Sequence, residues 1–437
     1  MKTKKLSIFM IVMLLLVSVF AGCSDKSETA SGSSKDGKVK IEFWYGLGGK
    51  LGENIESIIK EFNASQDEIE VVGVAQGDYD ETLQKLQAAI ASKKVPAVAL
   101  LKNGSMYSLA TKGALAPLSS YIEADKEFNS DDFVKAFYQQ GSIDGDQYAI
   151  PLYGTTQVMY YRKDLFEQAG LTTDALKTWE SLGEAAKTLT KKDGDNVSVY
   201  GWEPMWGADN LIDAALSNGA TYLSKDGKEV LIDSPEWVEA WEFIRKSIHE
   251  DKTMRIHSGG QGWEYWYKTI DDVMKGNAAG YTGSSGDQGD LDFSLVAAHP
   301  QPSFEGKQAA PHAGAQVAVV PALADKEQQE AAFKFLTFFT SAEKTAEWSI
   351  NTGYIPVRIS AQDVPAYKEF AESNPQIAVP LQQAQIATPP FIDPTGGKIY
   401  DALTKAADKV EIEGISAAEA LKAAKEEAQR ELDKVTK

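Results

Sequence analysis

From Val39 onward, strand patterns and helix patterns alternate, and that alternation admits few folds. Val39–Trp44 (VKIEFW) alternates apolar and polar residues, as a strand with one buried face does. The glycine-rich turn after Tyr45 leads into a helix with Leu51, Ile55, Ile58, Ile59 and Phe62 on one face. Glu68–Val74 reads as the next strand, and Gly77-Asp78-Tyr79-Asp80 opens a helix carrying Leu83, Leu86 and Ile90. Pro96–Leu101 is apolar throughout, the signature of a strand buried on both faces, and a helix follows around Ser105–Lys112. Strand and helix alternating at this spacing imply an open, mostly parallel sheet with helices on both faces. Ligands of such sheets sit beyond the carboxyl ends of the strands. That rule sets Trp44, Tyr45, Tyr79 and Lys102–Ser105 along one crevice edge.

The second informative stretch is Tyr148–Leu171 (YAIPLYGTTQVMYYRKDLFEQAGL). Two apolar runs, Tyr148–Leu152 and Gln157–Tyr161, flank Tyr153-Gly154-Thr155-Thr156, and a helix closed by Gly170 follows. The pattern fits an ordinary β–loop–β connection or a hinge strand between two lobes. The rest of the chain decides between them, and its 437 residues exceed what one hydrophobic core organises, so two domains are expected. The rhythm then restarts: a helix capped by Thr178, a strand at Val197–Gly201, and a loop with Trp202 and Trp206. A helix begins at Ser234-Pro235, and strands follow at Asn277–Tyr281, Phe293–Ala298 and Gln316–Val320. Trp348–Val357 reads as a second crossing, and helices end the chain.

The first residues belong to an address and not to the fold. Lys2, Lys4 and Lys5 precede an uncharged apolar run, Leu6–Phe20, too short to span a bilayer comfortably. Ala21-Gly22-Cys23 resembles a lipobox, which implies cleavage after Gly22 and lipidation of Cys23. Cys23 is the only cysteine in the chain, and an acyl anchor both explains it and removes a free thiol from an oxidising compartment. Ser24–Lys38 has too little apolar surface to fold and reads as a flexible tether. The net charge of −19 falls to −22 once residues 1–22, with three lysines and no acid, are gone. So acidic a body argues against nucleic acid and against polybasic membrane attachment, and for a soluble monomer.

Catalytic patterns are sparse. His249, His257, His299 and His312 show no metal-ligand spacing. Ser284 and Ser285 lie between glycines, but Asp287 breaks the nucleophile-elbow motif. Asp193 and Asp195 begin like a calcium loop that Val197 interrupts. The glycines at 46–52 match neither a dinucleotide fingerprint nor a phosphate loop. Aromatic residues in predicted loops are plentiful: Trp44, Tyr45, Tyr79, Tyr153, Trp202, Trp206, Trp263 and Tyr354. Each alone fits core packing as well as binding. Clustered at strand ends beside Gly, Ser, Thr and Asn, flat apolar rings suit stacking on the C–H faces of polyols.

With these pieces in order, the chain resembles the extracellular solute-binding proteins of ABC importers, and within them the glycerol-3-phosphate-binding branch. The likeness spans nearly all of the mature chain. Its carriers are the segments 43–63 (FW, then LG and EFN), GDY at 77–79, KGAL and PL at 112–118, VMYYRKDLFEQAGL at 158–171, GW and W at 201–206, KGNAA to SSG at 275–286, and W to TGYIPV at 348–357.

The resemblance implies an α/β, two-lobed, periplasmic-binding-protein-like fold with hinge crossings between the lobes. The implied division is a signal peptide at 1–22, a lipidated tether at 23–38, an N-lobe of 39–153 and 297–353, and a C-lobe of 154–296 and 354–437. It implies no cofactor, metal or catalytic residue, and solute contacts at Tyr79, Asn103, Thr155, Trp202, Trp206, Ser284, Ser285, Gly314 and Tyr354. The implied partners are a small hydroxylated solute (a sugar, a polyol or a glycerol phosphoester) and the transmembrane subunits of an ABC permease, at the outer face of a membrane that holds the lipid anchor. Two departures bear on the solute. The glycerol-phosphate branch has an acidic residue where Asn103 stands, and an arginine within the segment matching Pro390–Gly397, where this chain has none. Lys398 is near but lacks the forked donor geometry of arginine. The expected solute is therefore a neutral sugar or polyol, with glycerol 3-phosphate or a glycerophosphodiester as the alternative. A surface carbohydrate-active enzyme and an adhesin with an idle cleft are the competing classes.

Overall fold

The computed structural model describes residues 37–436, apart from 195, 385, 389 and 390. The leader, Cys23, most of the tether, Asp195 and Pro390 lie outside the described residues.

One strand, Ala149–Arg162, joins everything else together. It belongs to an eight-stranded sheet whose order runs Ile69–Ala75, Val39–Tyr45, Val98–Lys102, Ala313–Val319, Ala149–Arg162, Gly280–Ser284, Glu203–Pro204, with Val296–His299 also paired to the long strand. The first three strands are mutually parallel, as the β/α alternation requires. Ala313–Val319 returns antiparallel between Val98–Lys102 and the long strand.

The long strand changes partners midway. Its residues 149–156 pair with Ala313–Val319, from Val319↔Ala149 to Ala313↔Thr156. Its residues 157–161 pair with Gly280–Ser284, from Ser284↔Gln157 to Gly280↔Tyr161. Two hydrophobic clusters follow this division. One gathers Phe43, Ile55, Leu100, Ile150, Tyr153, Val317, Phe335 and Trp348. The other gathers Trp179, Trp202, Leu211, Trp241, Leu403 and Leu421, and a smaller cluster around Val158, Tyr160 and Tyr281 lines its sheet.

Of the two readings of the Gly/Thr stretch between the apolar runs, the loop is not formed and a continuous strand is. Gly154 explains why. On one edge it is in register with Ala315, and on the other its N–H and C=O bond Ile355 at 2.8 and 2.9 Å. A Cβ here would run into the Phe137 ring, so glycine lets three segments and an aromatic ring meet. The second crossing forms differently from a strand: helix Ala342–Thr352 ends on Gly353 in the left-handed region at φ 84°, and Tyr354–Ile355 then lies beside Gly154.

The strand expected at Val197–Gly201 forms as Asn196–Val199, which pairs with Lys191–Asp193 in a separate hairpin, and Tyr200 then bridges Ala278. The short strand Glu203–Pro204 takes the sheet position instead, parallel to Gly280–Ser284.

Candidate functional site

The partner change in the long strand brings the two halves of the molecule together, and most of the sequence-picked residues meet there. Thr155 is in register with Gly314, and its Oγ1 lies 3.3 Å from Ser284 Oγ. Ser285 is fully buried, and its Oγ accepts from Thr156 N at 3.5 Å. Tyr153 packs its ring against Tyr354 at 4.4 Å and Trp348 at 5.0 Å. Its phenol oxygen shares a 2.6 Å hydrogen bond with that of Tyr79. Tyr79 is the first residue of helix Tyr79–Ser92, whose N-terminus is capped by the Asp78 side chain. Asn103 opens the next helix and donates to Gln140 Oε1 at 2.9 Å, which also accepts from Ala315 N at 2.8 Å. Asn103 is thereby tied to the same strand as Gly314.

The two tryptophans of the 201–206 loop part company. Trp206 is half-buried, donates from Nε1 to Asp408 Oδ1 at 2.9 Å, and meets Tyr265 edge-on at 4.9 Å. Trp202 is wholly buried in the second cluster and donates to Thr282 Oγ1 at 2.9 Å. With no face left free, Trp202 belongs to the packing and not with the crevice residues.

Sequence reasoning did not assign Tyr265, Trp266, Asp209, Tyr400 or His312 to the site. Trp263, noted there only as an aromatic in a loop, meets Tyr79 edge-on at 6.0 Å and Trp266 at 5.7 Å. It also donates from Nε1 to Gly46 O at 3.1 Å, reaching the turn after the first strand. Tyr79, Trp263, Tyr265 and Trp206 thus form a continuous line of rings from one half of the molecule to the other. The signal for the added residues was weak. Tyr265 and Trp266 sit in the first turn of helix Glu264–Lys275, where aromatic residues usually face a core.

Ionisation follows from burial. Burial pushes the phenols of Tyr79, Tyr153 and Tyr354 up, so they stay neutral donors and acceptors at neutral pH. Asp287, in the turn after Ser284, is pushed up to about 7 by burial, against the opposing donors Trp266 Nε1, Ser284 N and Tyr281 O–H. Burial would lower Lys102, but the carboxylates of Asp80 and Asp209 outweigh it and raise the ammonium. Burial lowers His312, with Asp209 opposing. Lys102 and Asp80 come from the first half of the chain and Asp209 from helix Ala208–Ser217 of the second, where Tyr400 donates to it at 2.6 Å.

Apart from Lys102, the forked and lysine donors that a phosphate would draw on are engaged elsewhere. Arg162 bonds Asp164 and Val273 O, Arg245 bonds Glu242 and Glu250, Arg255 bonds Glu203 and Asp272, and Arg358 bonds Thr340 O, Phe128 O and Asn129 O. Arg430, the remaining arginine of the sequence, is exposed on the last helix. Lys398 pairs with Asp401 at 2.7 Å on its own helix. Backbone donors near it are also taken, since Asp393 accepts from Thr395 N at 2.8 Å, Ile399 N at 2.9 Å and Tyr400 N at 3.3 Å. The segment after Pro390 further contributes Phe391, which stacks on Tyr222 at 4.0 Å with the rings 3° from parallel.

Comparison with known proteins bears on the family and the fold. Residues 57–378 match the family described as bacterial extracellular solute-binding protein. The sn-glycerol-3-phosphate-binding periplasmic protein UgpB of Brucella melitensis is 29% identical over 371 residues, covering 80% of this chain and 82% of that protein. UgpB of Escherichia coli strain 536 is 27% identical over 360 residues, covering 78% and 80%. Among solved structures, an ABC substrate-binding protein of Listeria monocytogenes in complex with cycloalternan superposes with a TM-score of 0.79 at 26% identity, covering 90% of this chain and 98% of that one. UgpB of Mycobacterium tuberculosis in complex with glycerophosphocholine shares the fold, with a TM-score of 0.78 at 24% identity and coverage of 92% and 100%.

Proposed function

This chain belongs to the bacterial extracellular solute-binding proteins, the binding components of ABC importers, and from that premise we propose that it captures a neutral sugar or related polyol between two lobes. The observation that carries this reading is the character of the crevice: a line of aromatic rings, carboxylates from both halves around one lysine, and arginines all engaged or exposed elsewhere. Rings supply stacking faces, and Thr155, Ser284, Asn103 and the neutral phenols supply orienting hydrogen bonds. A phosphomonoester would face Asp80 and Asp209 without a forked partner. The alternative is glycerol 3-phosphate, which the names of the UgpB relatives state, or a glycerophosphodiester. The diester's single negative charge would fall to Lys102.

We assign the solute contacts to Tyr79, Asn103, Thr155, Trp206, Ser284, Gly314 and Tyr354, with Trp263 and Tyr265 added, Ser285 orienting the long strand, and Trp202 reassigned to the core. The expected lobes (39–153 with 297–353, and 154–296 with 354–437) we propose with one adjustment. Val296–His299 pairs with the second half of the long strand, so the return crossing is better set between His299 and Ala313. Chemistry on the solute is not part of this proposal; the relatives are binding proteins. A lipid anchor at Cys23, delivery to permease subunits and a monomeric state complete it. No helix of the described residues is long and apolar enough to cross a membrane, and the leader pattern with its lone cysteine supports the anchor.

The test is a thermal-shift panel on the body from Lys38 onward, with mono-, di- and oligosaccharides, polyols, glycerol 3-phosphate and glycerophosphodiesters. A solute bound only by the folded state stabilises it by about 2.7 kcal/mol at a hundred times Kd. A shift with a neutral sugar and none with phosphoesters is the expected result. A shift with glycerol 3-phosphate alone would overturn the solute assignment, and cleavage of a panel sugar by the pure protein would overturn the class. Loss of membrane retention in a Cys23→Ser protein is the expected outcome for the anchor.

A further inference from the structure

Behind the crevice, the second half of the molecule holds a buried charged cluster with incomplete hydrogen bonding. Glu203 sits in the edge strand Glu203–Pro204 and is 0% exposed. Its Oε1 accepts from Arg255, with Nε at 2.8 Å. Its Oε2 has no hydrogen-bond partner among the described residues. That oxygen faces His257 Nε2 at 3.9 Å, and the same nitrogen lies 2.7 Å from Asp272 Oδ2. Asp272 Oδ1 accepts from Asn277 Nδ2 at 2.9 Å, and Arg255 Nη2 donates to Asp272 Oδ2, the oxygen that also meets His257. A buried carboxylate oxygen left open in this way costs free energy that a bound cation would recover.

We propose that Glu203, His257 and Asp272 form a site for one divalent cation of the zinc class. Three atoms, one from each side chain, lie within 4.8 Å of one another. Ligands around a tetrahedral zinc, at about 2.0–2.1 Å from the metal, stand about 3.3 Å apart. The separations of 2.7 and 3.9 Å bracket that spacing. One imidazole nitrogen with two carboxylate oxygens suits zinc and its transition-metal neighbours, whereas magnesium and calcium take oxygen shells. Arg255 leaves Glu203 Oε2 open, and on Asp272 Oδ2, where it now donates, the cation would take a second lone pair. The guanidinium holds Glu203 Oε1, lies over the Tyr200 ring at 4.3 Å, and so fixes the orientation of Glu203. Once the cation has displaced the proton on Glu203, two carboxylates and one guanidinium set one net negative charge against it. The protons the cation displaces, on the His257–Asp272 contact and on Glu203, leave to solvent, and no bond between heavy atoms changes.

The site ties together two segments that deliver aromatic residues to the crevice. Glu203 lies three residues before Trp206, and the loop carrying Arg255 and His257 runs on to Trp263.

The test is calorimetric titration of the chelator-treated body with zinc chloride at pH 7.5, repeated with calcium and magnesium, on wild type and His257→Ala. His257 is partly exposed, at 24% for its side chain, so the variant is expected to fold, and its metal-free melting midpoint checks this. The expected result is one zinc per chain, a zinc-dependent rise in the melting midpoint, no response to calcium or magnesium, and binding at least tenfold weaker in His257→Ala. His249→Ala, in the same lobe but outside the cluster, keeps the wild-type affinity. If zinc fails to bind, the open oxygen is met by a proton and the proposal is wrong. It is equally wrong if His257→Ala binds as wild type does. Should His257→Ala misfold, Asp272→Asn replaces it with the same expected loss.

Discussion

The indole N–H of Trp263 donates to the backbone carbonyl of Gly46, 217 residues away, at 3.1 Å. The donor lies in the segment before helix Glu264–Lys275, and the acceptor in the turn after the first strand. The bond therefore spans the crevice, and it exists only while the two sides stand this close.

Trp263→Phe keeps a ring beside Tyr79 but loses that donor. One such bond contributes about 0.5–1.5 kcal/mol, so the solute Kd is expected to rise about two- to tenfold. The solute-free melting midpoint should stay nearly unchanged, because the lost contact belongs to closure and not to either core. A large midpoint drop with unaltered affinity would instead make Trp263 a packing residue. Calorimetry and a melting curve on the same sample decide between them.

Trp202 and Trp206 should respond in opposite ways. Trp202 fills the second core, and its replacement by alanine leaves a cavity that costs about 3–5 kcal/mol. Trp206→Ala should cost little stability and weaken solute binding by tenfold or more, through loss of a stacking face. Denaturant melts read the first effect and titration calorimetry the second. Equal effects on both quantities at both positions would contradict the division.

Gly154→Ala tests the meeting point of the crossings. The added methyl runs into the Phe137 ring, and the expected loss is about 1–3 kcal/mol of stability by overpacking. Phe137→Leu in the same chain makes room and should restore part of the loss. Absence of any rescue would mean that backbone strain, and not the ring, sets the cost.

Asp287 gives a pH dependence with a definite sign. Its carboxyl is raised to about 7 in the folded protein. Folding therefore favours the protonated form, and the stability Asp287 contributes is fully present below pH 4 and lost as pH rises through about 7. Asp287→Asn cannot ionise. The stability of wild type relative to this variant should fall by a few kcal/mol between pH 4 and 7.5, the scale set by about 1.4 kcal/mol per decade of acid constant. A gap that stays constant across that range would show that Asp287 is ionised throughout.

Much of this arrangement was legible in the residues because local patterns carried it. The period-two apolar pattern at Val39–Trp44 and the apolar run at Pro96–Leu101 located strands to within one or two residues of Val39–Tyr45 and Val98–Lys102. Capping located helices, as Thr178 does for Trp179–Leu189. What escaped depends on contacts between distant segments. Nothing local distinguishes Trp202 from Trp206: one indole meets Thr282, 80 residues on, and the other meets Asp408, 202 residues on. The continuity of Ala149–Arg162 was hidden for the same reason, since Gly154 and Thr155 become strand only by pairing with Ala313–Val319 and Ile355. Likewise the absence of arginine from Pro390–Gly397 was plain in the sequence, but the capture of the nearby backbone donors by Asp393 was not.

The long strand Ala149–Arg162 also limits how the molecule can move. Ladder bonds on both sides of the Thr156–Gln157 junction hold each half of it in register. Sliding one half past the other would break every rung at once, whereas a change of twist spread over a few peptide units breaks none. Opening is therefore expected to be a torsion, with a single angular coordinate and an axis lying in the sheet. A pair of probes on either side of the crevice, at Lys50 and Asp290 for example, whose side chains now stand 3.6 Å apart, reports that whole coordinate in one distance.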